Sequence, residues 1–110
     1  MLFIDIEYKN KIMHIRLKGN LTKKNSKRIN YYINPILEKH CIKKVIYNVH
    51  NLKDIDYFGI DALKRSKVIV KKNHGKIIIC EANKNIKEKL KMIKVKILNS
   101  EEKAINLCEA

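Results

Sequence analysis

The chain opens with alternating apolar and polar residues. From Leu2 to Tyr8 and again from Ile12 to Leu17, apolar side chains recur at every second position, which is typical of half-buried β-strands. Lys9 to Lys11 lies between these runs and is the predicted turn. Gly19-Asn20-Leu21-Thr22 then breaks the strand pattern. The start of the chain therefore predicts a β-hairpin followed by a loop.

A helical period follows between residues 26 and 39, where apolar residues are spaced three and four apart. Asn25 or Ser26 is the predicted N-cap of this helix. Because Pro35 lacks a backbone donor, we expect the helix to kink or to split into two pieces. The predicted packing face consists of Ile29, Tyr32, Ile33, Ile36 and Leu37.

The central stretch changes from a strand period to a helix period. An apolar, β-branched run from Val45 to Val49 predicts a buried strand, and the polar residues Asn51 to Asp54 predict a connection. Asp56 is placed where a helix begins, so its carboxylate can accept hydrogen bonds from free backbone N–H groups. The predicted packing stripe of that helix is Gly59, Ala62, Leu63, Ser66, Ile69 and Val70.

The last third of the chain repeats the alternation of strand and helix. Asn73-His74-Gly75 is typical of a helix C-terminus, and a buried strand is predicted from Lys76 to Cys80. A short helix from Asn83 to Lys91, an edge strand at Val95 and Ile97, and a serine-capped helix from Ser100 complete the pattern. The order β-β-α-β-α-β-α-β-α predicts an α/β fold with a mixed central sheet and helices packed on it.

Length and composition limit the class of protein. A chain of 110 residues with 45% hydrophobic content predicts one domain over residues 1–110. Without a run of about 20 apolar residues or a basic leader, it is expected to be cytoplasmic and not inserted in a membrane. The three cysteines have no Cys-x-x-Cys spacing and are expected to be buried free thiols, and the four histidines show no metal-ligand spacing. We therefore expect no metal and no cofactor.

The net charge of +14 raises the question of nucleic-acid binding. Only Arg16, Arg28 and Arg65 are arginines, and the lysines are spread over every predicted element. Since base readout and phosphate recognition favour arginine, we expect no specific nucleic-acid partner and only salt-sensitive association with polyanions.

Catalytic motifs are absent from the sequence. It contains no G-x-S-x-G, no Walker loop, and no nucleophile with a paired histidine and carboxylate. Asp54 and Asp56 are close in sequence, but two carboxylates beside a helix start are typical capping groups. The sequence predicts a protein that is not an enzyme.

One segment resembles a known family. Residues 51–60, NLKDIDYFGI, resemble the loop of STAS domains, in which Asp-Ser-Ser/Thr-Gly follows Leu-x-x-hydrophobic. Gly19-Asn20-Leu21 stands where that family has Gly-Glu-Leu/Ile-Asp, residues 74–80 resemble its Gly-Gly-x-hydrophobic strand, and residues 100–107 match its closing helix. The order and spacing of these segments resemble anti-sigma factor antagonists, and the resemblance implies a STAS-like topology.

The resemblance also implies a function. An antagonist docks on an anti-sigma factor, an ATPase-like or kinase-like protein, and so regulates transcription in bacterial sporulation or stress signalling. The loop Asp56 to Gly59 and the exposed face of the following helix are the implied contact surface, with Ile60, Lys64, Lys67, Val68 and Lys71 predicted on that face. The predicted partner-binding residues are Asn20, Thr22, Asp54, Asp56, Tyr57, Phe58, Gly59, Ile60, Lys64 and Lys67.

The chain departs from the family at the position where phosphorylation switches partner binding. Tyr57 occupies the position of the serine or threonine that a partner kinase phosphorylates, and Phe58 replaces the next small residue. Thr22 replaces the acidic residue of the earlier loop. The alternative hypothesis is therefore a STAS subunit of another assembly, such as a lipid-transport complex or a signalling scaffold, that needs no phosphorylation switch. The sequence specifies neither the partner nor the oligomeric state.

Overall fold

A mixed five-stranded sheet forms the centre of the computed structural model, which describes residues 1–109. The strands are β1 Leu2–Lys9, β2 Ile12–Leu21, β3 Lys44–Ile55, β4 Lys76–Cys80 and β5 Lys96–Leu98. The helices are α1, which comprises Ser26–Arg28, a π-helical turn Ile29–Ile33 and Asn34–Lys39; α2 Tyr57–Lys72; α3 Lys84–Lys89 with a 3₁₀ turn Leu90–Met92; and α4 Glu101–Glu109. This order confirms the predicted α/β fold.

The strands are arranged in chain order, and only β1 and β2 are antiparallel. A two-residue turn joins them, with Asn10 and Lys11 at φ 53° and 65°, the left-handed conformation that this tight hairpin requires. The remaining neighbours pair in parallel. Their helical crossovers place α1, α2 and α3 against one core, while α4 packs on the opposite face of the sheet.

Strands β2 and β3 are longer than predicted. The predicted break at Gly19 to Thr22 and the predicted connection at Asn51 to Asp54 are both wrong, because β2 continues to Leu21 and β3 to Ile55. Two register shifts keep these polar ends paired in parallel. Backbone pairing between the strands thus outweighs the weak strand propensity of their sequences.

Helix α1 is split, as Pro35 predicts. A π-helical turn precedes the segment in which Pro35 occupies the first turn. The extra residue in this turn rotates the helix surface away from the 3.6-residue period. Consequently Tyr32 is 68% exposed and Ile36 is 38% exposed, although both were expected to pack.

Two apolar clusters cover the two faces of the sheet. The larger one joins β1 to β4 with α1, α2 and α3, and it surrounds a buried hydrogen-bonded group formed by Tyr47, Ser66 and Asn34. The smaller one lies under α4 and consists of Ile12, Ile46, Ile78, Cys80, Ala104 and Cys108. Cys80 and Cys108 are buried free thiols as expected, whereas the expectation for Cys41 is wrong because it is exposed at the end of α1.

None of the helices within residues 1–109 has both the length and the apolar content that a membrane span requires.

Candidate functional site

The start of α2 is fixed by Asp56, as the sequence predicts. Its Oδ1 accepts from the Gly59 N–H at 3.0 Å, which caps the helix, and its Oδ2 accepts from the Lys23 N–H at 2.9 Å. The Asp56 N–H donates to the Leu21 carbonyl oxygen at 3.2 Å. One residue therefore connects the helix start to the loop that follows β2.

Gly59 permits the close approach of these two segments. A Cβ on Gly59 would clash with the Leu21 carbonyl oxygen and would lie 2.8 Å from Ile55 Cγ1. Only a residue without a side chain allows the first turn of α2 to pack this tightly against the ends of β2 and β3.

Two aromatic side chains project from this capped turn. Tyr57 is 64% exposed and Phe58 is 44% exposed. Their rings are 5.8 Å apart in an edge-to-face arrangement, and the Lys23 ammonium lies 5.3 Å from the centre of the Phe58 ring. We name Lys23, Tyr57 and Phe58 the aromatic patch. It combines exposed apolar area with a positive charge.

The remaining predicted loop residues lie at the same end of the sheet. Asn20 pairs with Asp54 across β2 and β3, and the Thr22 N–H donates to Asn25 Oδ1 at 2.8 Å. The Lys89 ammonium donates to Asp54 and holds the pKa of that carboxyl below its usual range. These contacts order the surroundings of the aromatic patch.

The predicted exposed face of α2 needs correction. Ile60 is 7% exposed and belongs to the larger core, so the expectation that it faces a partner is wrong. The buried arc of α2 is wider than its predicted stripe because the side that carries Ile60 and Lys67, seven residues apart on one face, lies beside the segment that follows α3. Lys64 is exposed, whereas Lys67 is half-buried and donates to the Lys94 carbonyl oxygen.

On the opposite face of the sheet, Glu101 organises a polar network that sequence patterns did not indicate. Arg16 donates to it from Nη2 at 2.6 Å and from Nε at 3.1 Å. Asn48 donates to Glu101 at 2.8 Å and to Glu81 at 3.0 Å. The pKa of Glu101 is lowered, chiefly by the hydrogen bonds from Arg16. The network attaches α4 to β2 and β3.

Part of this network has metal-ligand chemistry. One ligand atom each from Cys80, Glu81 and Glu101 lies within 4.8 Å of the others. However, Asn48 already donates to both carboxylates, and burial raises the pKa of the Cys80 thiol to about 12, so the thiol stays protonated near neutral pH. This arrangement favours a structural role over cation binding.

The strand order, with three helices on one face and one on the other, and the capped loop before α2 together define a STAS-type domain. The sequence model of the STAS domain family matches residues 3–104. The chain belongs to the STAS domain family.

Solved structures share this fold at low sequence identity. The anti-sigma factor antagonist SpoIIAA in its unphosphorylated form has a TM-score of 0.82 at 17% identity, over 98% of this chain and 99% of that one. The Thermotoga maritima protein TM1081 has a TM-score of 0.90 at 12% identity, over 97% and 95%. The murine anion transporter Slc26a9 has a TM-score of 0.76 at 12% identity, over 90% of this chain and 18% of the transporter.

The contacts of Glu101 predict how stability depends on pH. Because the folded-state pKa of Glu101 is lowered, its ionised form stabilises the fold above the unfolded-state pKa of about 4.3, and this contribution is lost as pH falls toward the folded-state value. Urea unfolding of Glu101→Gln between about pH 7 and pH 3 should show a shallower loss of stability on acidification than the unchanged protein.

Glu102→Gln is the matched control, since the neighbouring Glu102 side chain is exposed. If both variants follow the pH profile of the unchanged protein, Glu101 does not anchor α4 electrostatically.

Proposed function

We propose that this protein is a non-catalytic regulator that docks on an anti-sigma factor of the ATPase or kinase type, in the bacterial cytoplasm. Similarity to the antagonist SpoIIAA over almost the whole of both chains supports the class of function. The observation that carries the proposal is the aromatic patch, because two exposed aromatic side chains project from a helix start that Asp56 and Gly59 hold rigid.

The physical properties of the aromatic patch suit protein recognition. Aromatic side chains lose little conformational entropy on binding and contribute strongly at the centres of interfaces. Lys23 and Lys64 place positive charge beside the patch and along α2, which favours an acidic partner surface. Asn20, Thr22 and Asp54 complete the proposed contact surface, while the buried Ile60 supports the helix from beneath.

The residue at the switch position separates this chain from the phosphorylated members that it resembles. A serine or threonine hydroxyl is attached at Cβ, close to the helix start, whereas the Tyr57 hydroxyl lies at the far end of an exposed ring. A kinase active site built for serine or threonine would find no hydroxyl at the expected distance from the backbone. We therefore propose that docking is constitutive.

A substitution that introduces one negative charge into the aromatic patch tests the docking surface. Phe58→Asp should reduce capture of the anti-sigma factor from a lysate of the source organism by about tenfold or more, because a carboxylate would be desolvated at the interface. Tyr31→Asp is the matched control, since Tyr31 is an aromatic residue on α1 with 69% exposure. Quantitative mass spectrometry measures capture, and thermal unfolding verifies that both variants fold.

Equal capture by both variants would remove the aromatic patch from the interface.

Incubation of the protein with the captured partner and Mg-ATP tests whether the phosphorylation switch is lost. The unchanged protein should gain no phosphate, whereas Tyr57→Ser, which restores a hydroxyl close to the helix start, should gain one. Intact-mass spectrometry with peptide mapping measures the modification. Phosphate on Tyr57 of the unchanged protein would contradict constitutive docking.

The second candidate function is that of a STAS subunit in another assembly, such as a lipid-transport complex or signalling scaffold. The similarity to part of Slc26a9 and the replacement of the switch residue by Tyr57 favour it. Under this hypothesis the same capture experiment recovers transport or scaffold subunits in place of an ATPase-like protein.

A further inference from the structure

A basic groove lies at the end of α2 that is remote from the aromatic patch. It has a volume of about 610 Å³ and opens between α2, α4 and the starts of β4 and β5. Lys71 lies fifteen positions after Asp56, which corresponds to roughly 22 Å along the helix axis. We name it the lysine groove after the five lysines that line it, Lys67, Lys71, Lys76, Lys94 and Lys96.

The charge of the lysine groove is not compensated within residues 1–109. None of its five lysines lies within 4.0 Å of a carboxylate of that region, and no acidic residue lines it. Lys67 donates to the Lys94 carbonyl oxygen and Lys76 to the Leu107 carbonyl oxygen, so the two ammonium groups meet only neutral acceptors. Mutual repulsion of these cations would be relieved by a bound anion.

The floor of the lysine groove is apolar. Ile77 and Val95 are half-buried at the edge of the larger core, and Leu107 is half-buried at the edge of the core under α4. The groove therefore lies where the two cores meet at the edge of the sheet. Strand β5 has only three residues, and neither α2 nor α4 covers the apolar surface beside it.

We propose that the lysine groove binds an amphipathic organic anion, with a phosphate or carboxylate head group attached to an apolar body. The lysines supply the charge complementarity for the head group, and Ile77, Val95 and Leu107 supply the contact area for the body. The groove has the volume of small-molecule sites, which is about 300–1,000 Å³. Lysine ammonium groups act as point charges, so the groove selects for charge more than for head-group geometry.

This binding site does not depend on the aromatic patch. It lies toward the opposite end of α2 from Tyr57 and Phe58, and of the residues predicted on the partner-facing side of α2 only Lys67 and Lys71 line it.

An NMR titration of the isotope-labelled protein with decyl phosphate below its micelle concentration tests the proposal. Saturable shifts are expected at the amides of Gly75, Ile77 and Val95 and not at Phe58. Lys71→Glu/Lys94→Glu should weaken binding by about tenfold or more, because two attractive charges become repulsive.

Lys27→Glu/Lys39→Glu is the matched control, since it makes the same change of net charge on exposed positions of α1. It should leave the affinity within about twofold, as expected for distant charges screened by salt. Equal weakening by both double variants would overturn the proposal by showing that net charge alone governs binding. Equal affinity for inorganic phosphate would overturn it by removing the role of the apolar floor.

Vesicles distinguish the two sources of such a ligand. Sedimentation with phosphatidylglycerol vesicles but not with phosphatidylcholine vesicles, lost in Lys71→Glu/Lys94→Glu, would support a lipid head group as the ligand. Binding of decyl phosphate without vesicle sedimentation would support a free amphipathic anion. Chemical-shift changes confined to residues outside the lysine groove would overturn both the lipid and the free-anion alternatives.

Discussion

The geometry of the aromatic patch depends on the Asp56 carboxylate, which accepts hydrogen bonds from two backbone N–H groups. Asp56 accepts from Gly59 within its own helix and from Lys23 in the loop after β2, so helix capping and loop attachment occur in the same residue. Because Gly59 has no side chain, the helix can approach the Leu21 carbonyl closely. The Asp56 N–H donates a hydrogen bond to the same carbonyl oxygen. The surface around Tyr57 and Phe58 is therefore preformed, which would reduce the entropy lost in the proposed docking.

The two ends of α2 differ in chemistry. At its start, Tyr57 and Phe58 expose rigid aromatic area, while at its end Lys71 joins a groove of uncompensated lysines. Helix α4 closes the far face of the sheet through a small apolar cluster and the ion pair between Glu101 and Arg16. The fold thus separates the surface proposed for a protein partner from the groove proposed for an anion.

Local patterns predicted the order of elements and the cap at Asp56, because periodicity and capping depend on residues near in sequence. The sequence predictions are wrong where contacts between distant segments decide the structure. Ile60 is buried because its side of α2 lies beside the segment that follows α3, and Tyr32 is exposed because a π-helical turn rotates the helix surface. The network around Glu101 joins side chains from β2, β3, the residue that follows β4 and α4, and no local spacing indicates it.

Hydrogen exchange of the protein, measured with and without the proposed anti-sigma factor partner, tests the docking proposal most directly. Docking through the aromatic patch predicts slower amide exchange in residues 20–24 and 54–60, where the loop after β2 and the start of α2 meet, and unchanged exchange in α3. Slower exchange confined to other segments, with residues 54–60 unaffected, would contradict the account.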